Sequence, residues 1–288
     1  MDLLERAGYP RVYGGERTLR APIHWGVSNM LAAERVKVFW QPGCTSCLRT
    51  KEFLTKSGVD YESINVHGNP AGMEELRKLG ARSVPIVARG DQFVFAQTLT
   101  DVIKFLDLKV KLQERLSPEE LIGKLNIVLP AAARYVRQIP AEWLEKPFRN
   151  RNRPIRLLAH HVFRIPEGFL ESMHDGRELT YERIMQEAPA LRSGEDIARF
   201  GESVLTRLQA WWKTYPDRSC SREMNTYFGR HSMHVVLERT TWHPTQHTRQ
   251  LMLILDTLKI EPDRRLTAQD LAGLPLPDKV WDDEKEAA

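Results

Sequence analysis

Two short spacings in this sequence can do chemistry. Cys44-Thr45-Ser46-Cys47 sets two thiols three residues apart, and Trp242-His243-Pro244-Thr245-Gln246-His247 sets two imidazoles four residues apart. Before the thiols come a β-prone run, Val36-Lys37-Val38-Phe39-Trp40, and a Gln41-Pro42-Gly43 turn, so a strand hands over to a helix at Cys44. A sulfur at that helix N-terminus meets unpaired N–H groups and the positive end of the dipole. Such a site favours thiolate and can bring a thiol from about 8.5 into the range of roughly 3.5 to 7.5. Cys44 is therefore the expected nucleophile, and Cys47, one turn later, is placed to resolve a mixed disulfide. A zinc ribbon would need two further ligands at similar spacing, whereas the third cysteine, Cys220, stands alone far along the chain. Further on, Ser83-Val84-Pro85-Ile86 opens a strand with proline; in the cis form it would present the Val84 backbone to a peptide-like thiol.

On a helix, His243 and His247 stack on one face and can share a metal ion. The same stripe continues to Ile254 and Leu258, so it faces a core, where imidazoles without a partner are costly. An H-x-x-x-H can also arise by chance on a surface, and the zincin pattern is excluded because its internal glutamate is missing. A third ligand comes from His160-His161. The apolar stripe Leu158, His161, Ile165, Phe169 turns His161 inward and His160 about 100 degrees aside. His231 and His234 read as capping or surface residues, and His24, His67 and His174 join no constellation. Three nitrogens with open positions suit a catalytic site for Zn, Ni, Fe or Cu.

These residues need elements to position them. With 288 residues the chain has length for two domains, and 42% hydrophobic with 28% charged residues exclude collagen, a coiled-coil rod and wholesale disorder. No window is apolar enough for a membrane span or a secretory signal. A net charge of +4 gives no reason to expect nucleic acid as partner. Three cysteines are too few for a disulfide scaffold, which indicates a reducing, cytoplasmic setting. Residues 1–33 read as an irregular leader, in which Met30 offers an alternative start. Residues 34–110 alternate strands at 36–40, 61–66, 85–88 and 93–95 with helices at 44–57, 72–79 and 100–106, an α/β pattern. Residues 111–288 read as all-α. A capping box at Ser117-Pro118-Glu119-Glu120 opens a helix to about Gln138, and a second follows Pro154 until Pro166 stops or kinks it. A third carries Ile197, Phe200, Val204, Leu208 and Trp211, a fourth runs from Met233 to Leu258 around Pro244, and the segment before Leu116 reads as a charged helical linker.

Residues 36–106 resemble glutaredoxin, with its C-x-x-C at Cys44 and Cys47 and its T-V-P motif as Ser83-Val84-Pro85. The resemblance implies a thioredoxin fold and glutathione, or a similar thiol, along Val84 and Pro85. The sequence departs from the family: C-T-S-C replaces C-P-Y-C, Gln41 replaces the usual lysine, and Phe95-Ala96-Gln97 replaces Gly-Gly. Thr100 and Asp101 remain to take the γ-glutamyl end. Residues 117–281 resemble the DinB/YfiT-like metal-binding four-helix bundles, through His161 after Ile155-Arg156-Leu157-Leu158 and the stretch from Glu238 to His247. That resemblance implies a divalent metal, Zn, Ni or Fe, on His161, His243 and His247.

Together they imply a thiol-dependent metalloenzyme, a transferase or isomerase that joins a low-molecular-weight thiol to small electrophiles, with the cysteines supplying or recycling thiol. A glutaredoxin-type oxidoreductase whose bundle binds a structural metal and docks or forms a homodimer is the second reading. A redox or metal sensor is the third, with Trp211 and Trp212 as an exposed surface, although adjacent tryptophans on an amphipathic helix are more often one core and one rim residue.

Overall fold

A computed structural model describes residues 34–282, and from Arg35 onward they form one compact unit. The leader, His24 and Met30 lie outside the described residues.

The first part is a four-stranded sheet in the order β2-β1-β3-β4. β1 (Val36–Trp40) lies parallel to β2 (Tyr61–Asn65) and antiparallel to β3 (Ile86–Arg89), which forms a hairpin with β4 (Gln92–Phe95). Strand alternation sorts the core onto two faces. Val36, Val38 and Val87 pack under α1 (Thr45–Lys56) and α3 (Leu99–Leu106), while Phe39, Ile64 and Ile86 pack under α2 (Pro70–Lys78). This is the thioredoxin-type arrangement, a parallel βαβ unit followed by a hairpin and a closing helix.

The larger part is helical. α4 (Pro118–Gln138) starts at a complete Ser117/Glu120 capping box; α6 (Ile155–Asp175), α8 (Gly194–Thr214) and α9 (Met233–Thr257) complete four long helices. They surround one apolar core, with α4 between α8 and α9, and α6 closing the ring opposite. Between them lie short helices α5 (Ala141–Leu144) and α7 (Tyr181–Met185), and α10 (Ala268–Leu271) follows α9.

Several expectations are corrected. α6 runs through Pro166 to Asp175, because burying Phe163, Phe169 and Leu170 outweighs one forgone helical hydrogen bond. The segment from Leu108 to Ser117 is irregular instead of helical. It is tied down by Arg115, which donates to Glu238 (2.9 Å) and Thr100 (3.2 Å), and by the Leu116 carbonyl, which lies 2.8 Å from His234 Nε2. Two hairpins interrupt the helical part, β5 (Pro147–Phe148) with β6 (Arg151–Pro154) and β7 (Glu223–Thr226) with β8 (Gly229–Ser232). Each ends where a long helix begins. Trp211 and Trp212 are not an exposed surface: Trp212 is buried and donates to Glu119 (3.0 Å), and Trp211 is half-buried against Phe169 and Tyr215.

Candidate active site

β1 delivers the chain to the Gln41–Gly43 turn, and Cys44 is the N-cap of α1, accepting a hydrogen bond at Sγ from the Cys47 N–H (3.2 Å). No acidic residue sits in that first turn, so the positive end of the helix bears on the sulfur unopposed locally. Cys44 and Cys47 are joined by a disulfide; Cys47 is fully buried and Cys44 half-buried. The Val84–Pro85 peptide is cis. Val84 lines a cavity with Cys44, while Pro85, the residue before β3, is buried and does not line it.

That cavity, about 60 Å³, is also lined by His161 from α6 and by His243 and His247 from α9. One ring nitrogen from each of the three histidines lies within 4.8 Å of the others, and all three rings are buried. The two Nε2 atoms of His243 and His247 are 3.2 Å apart. His247 Nδ1 lies 2.7 Å from Gln250 Oε1, which can only accept, so Nδ1 carries the proton and Nε2 presents its lone pair. His243 Nδ1 is buried with no hydrogen-bond partner among the described residues. Burial is the main force holding all three imidazoles neutral, reinforced by Arg153 at His161 and His247 and by Arg239 at His243; His247 is brought down to about 3. Neutral, convergent, partly unpaired nitrogens are the donor set a borderline divalent metal takes, so these residues fit such an ion. His160 faces away: its ring lies 5.2 Å from that of Phe200, and burial with nearby Arg164 lowers its pKa to about 4.

The structure does not bring Thr100 and Asp101 to this cavity. Thr100 accepts from Arg115 and lines a separate cavity of about 480 Å³, and Asp101 bonds Thr98 (2.6 Å) and lies 3.4 Å from His231. Gln97, which closes the loop after β4, is the residue facing Cys44 from that side. Its Oε1 accepts from Ser46 Oγ (2.9 Å) and from Arg239 Nε (3.2 Å) and Nη2 (3.1 Å), and its Nε2 donates to the Val84 carbonyl (3.4 Å). Arg239 Nη2 also donates to Tyr227 Oη (2.7 Å). Burial pulls the Arg239 guanidinium down from its usual pKa.

The polar tail supplies the last wall. Trp281 is buried edge-on to Phe148 (5.2 Å), donates to Asn150 (2.8 Å) and lies over Gly43. Gln250 Nε2 donates to the Val280 carbonyl (3.3 Å), so the group that fixes His247 also holds the tail. Gln97, Arg239, Gln250 and Trp281 were not apparent in the sequence. Gln250 alone had a local signal, its i+3 spacing from His247.

Residues 36–94 match the glutaredoxin family model. The "Glutaredoxin-like protein NrdH" of Escherichia coli K12 is 37% identical over 57 residues, 20% of this chain and 70% of that protein. A glutaredoxin of Pseudomonas aeruginosa is 35% identical over 60 residues, 20% of this chain and 71% of its own length. An uncharacterized glutaredoxin-like protein of Clostridium pasteurianum is 26% identical over 73 residues, covering 25% of this chain and 97% of that one. Through this N-terminal module, with its strand order and its Cys44–Cys47 pair, the chain belongs to the glutaredoxin family.

Proposed function

We propose that this chain is a thiol-dependent metalloenzyme in which the glutaredoxin-like module and the helical part share one reaction site. The observation that carries this reading is that Cys44 and the three buried histidines line the same cavity. The resemblance of residues 117–281 to DinB/YfiT-like bundles supports it, through the same three histidines. Small electrophiles or thiol conjugates are the substrates, and glutathione or a similar low-molecular-weight thiol is the co-substrate.

The chain's own residues divide the work. A thiolate entering the cavity attacks Cys44 Sγ; the new S–S bond forms as the Cys44–Cys47 bond breaks, and Cys47 takes the electron pair. A second thiolate releases the first as a symmetrical disulfide and leaves both cysteines reduced. His161, His243 and His247 would hold the divalent metal, with Gln250 fixing the His247 tautomer. When bound, the metal supplies Lewis acidity, lowering the pKa of a thiol or polarising an electrophile. Val84, Gln97 and Trp281 line the cavity, whose volume of about 60 Å³ favours small molecules.

The test is elemental analysis of protein purified without chelator or a nickel column, wild type against His243→Ala. About one metal per chain, lost in the variant, is expected; no metal in either protein overturns the reading. Thiol-transfer activity that survives metal removal undiminished would also overturn it. The family match favours one fallback, a thiol–disulfide oxidoreductase with a structural bundle. In that case Cys44→Ser abolishes all activity and His243→Ala lowers stability alone.

A further inference from the structure

We infer that the cavity beside Cys44 is an anion site whose ligand carries a small carboxylate held by Arg239; this rests on reading that cavity as the place of reaction. Three arginines line it, Arg151, Arg153 and Arg239, and among the described residues no aspartate or glutamate does. Arg239 is 2% exposed, yet no carboxylate pairs with it among the described residues. Its bonds go to neutral acceptors, Gln97 Oε1 (3.2 and 3.1 Å) and Tyr227 Oη (2.7 Å). Those bonds use Nε and Nη2 and leave Nη1 without a protein acceptor among the described residues. A guanidinium so placed has lost most of its water without gaining a counter-charge, which is unfavourable unless an anion completes it. A carboxylate accepts two parallel N–H bonds from an arginine and is the natural complement.

The cavity also limits size. At roughly 10–15 Å³ for each water held, its volume of about 60 Å³ takes a handful of non-hydrogen atoms. A carboxylate with one or two carbons fills it and leaves the adjoining sulfur or electrophilic carbon in the same space as Cys44. The ligand class is therefore a short carboxylate bearing a thiol or an electrophilic carbon.

Iodoacetate and iodoacetamide test this, since they are near-isosteres that differ in charge. With each, the Cys44 thiolate displaces iodide, forming an S–C bond as the C–I bond breaks. The reduced, metal-stripped full chain is used, so the outcome does not depend on the histidine metal, and peptide mapping reads Cys44 alone. Iodoacetate is expected to react about tenfold faster than iodoacetamide, as one charge-assisted bond provides, with saturation, and propionate but not propionamide should protect. Arg239→Gln should lower the ratio of the iodoacetate rate to the iodoacetamide rate about tenfold, and Arg239→Lys should fall between; an unchanged ratio in Arg239→Gln overturns the assignment. Faster reaction with iodoacetamide, or no protection of the wild type by propionate, overturns the assignment, and the propionate arm needs no variant to fold. Failure here would leave the metal analysis above untouched, and failure of that analysis would leave this site standing.

Discussion

Gly43 gives a direct test of how the tail is seated on the redox loop. It holds φ +68, and a Cβ there would lie 2.8 Å from Trp281 Cη2 and 3.1 Å from Cζ2. Gly43→Ala therefore carries two costs. Left-handed backbone costs a residue with a Cβ about 1–2 kcal/mol. The ring must also retreat by roughly 1 Å to reach ordinary carbon contact, although Trp281 is 4% exposed and wedged against Phe148. Overpacking of that kind costs about 1–3 kcal/mol. The sum is about 2–5 kcal/mol in the wild type, whereas only the backbone part, about 1–2 kcal/mol, survives in a Trp281→Ala background. Urea unfolding of the oxidised protein, carried out as a double-mutant cycle, should give a coupling of about 1–3 kcal/mol, with Gly43→Ala cheaper once the indole is gone. A coupling within about 0.5 kcal/mol of zero refutes the contact, and with it the tail as a wall of the cavity.

Three further outcomes follow from burial and bonding. Burial raises the Cys220 thiol to about 11, so native, reduced protein at neutral pH should leave Cys220 unlabelled by iodoacetamide and label it only after denaturation; labelling at the rate of a free thiol contradicts this. Burial lowers His160 to about 4 and His247 to about 3, so below the unfolded value of 6.5 the unfolded chain binds more protons than the folded one. Metal-free protein should hold full stability above that pH and lose up to about 1.4 kcal/mol per unit per histidine as pH falls toward the folded values. A Tm flat between about pH 7 and 5 would contradict this. Gln250→Leu removes the acceptor on His247 Nδ1, and zinc titration should show affinity weakened by about 10- to 100-fold; unchanged affinity removes Gln250 from the site.

The sequence was legible where the signal is local. The run from Val36 to Trp40 and the turn before Cys44 carry the strand-to-helix handover, and the 3.6 period of Ile197 and Val204 carries α8. The stripe of Leu158, Ile165 and Phe169 points to His161 over His160; both are buried, and it is His161 whose ring nitrogen lies with those of His243 and His247. Long-range pairings left no such trace. Gln97 reads as a loop residue until Arg239, 142 positions later, donates to it. Trp281 sits in a polar tail, and its burial depends on Phe148 and Gly43, both distant in sequence. Pro166 misled because a proline's local cost is visible and the burial that outweighs it is not. Thr100 and Asp101 misled because family position was read without Arg115 and His231, which engage them.

The bond from Gln97 to Arg239 bears on inheritance. Separate expression of the two halves would take Gln97 from Arg239, leaving it the Tyr227 hydroxyl, and would uncover Trp242, whose ring centroid now lies 3.9 Å from the Arg49 guanidinium. Each half would present water with a face shaped for the other. Recombination near residue 110 would part Arg49 and Gln97 from Arg239 and Trp242, so an incoming redox module would need matching residues at the first two positions to restore these contacts. These four positions should drift as a set, and substitutions there should occur in concert across descendants even where the surrounding surface varies freely.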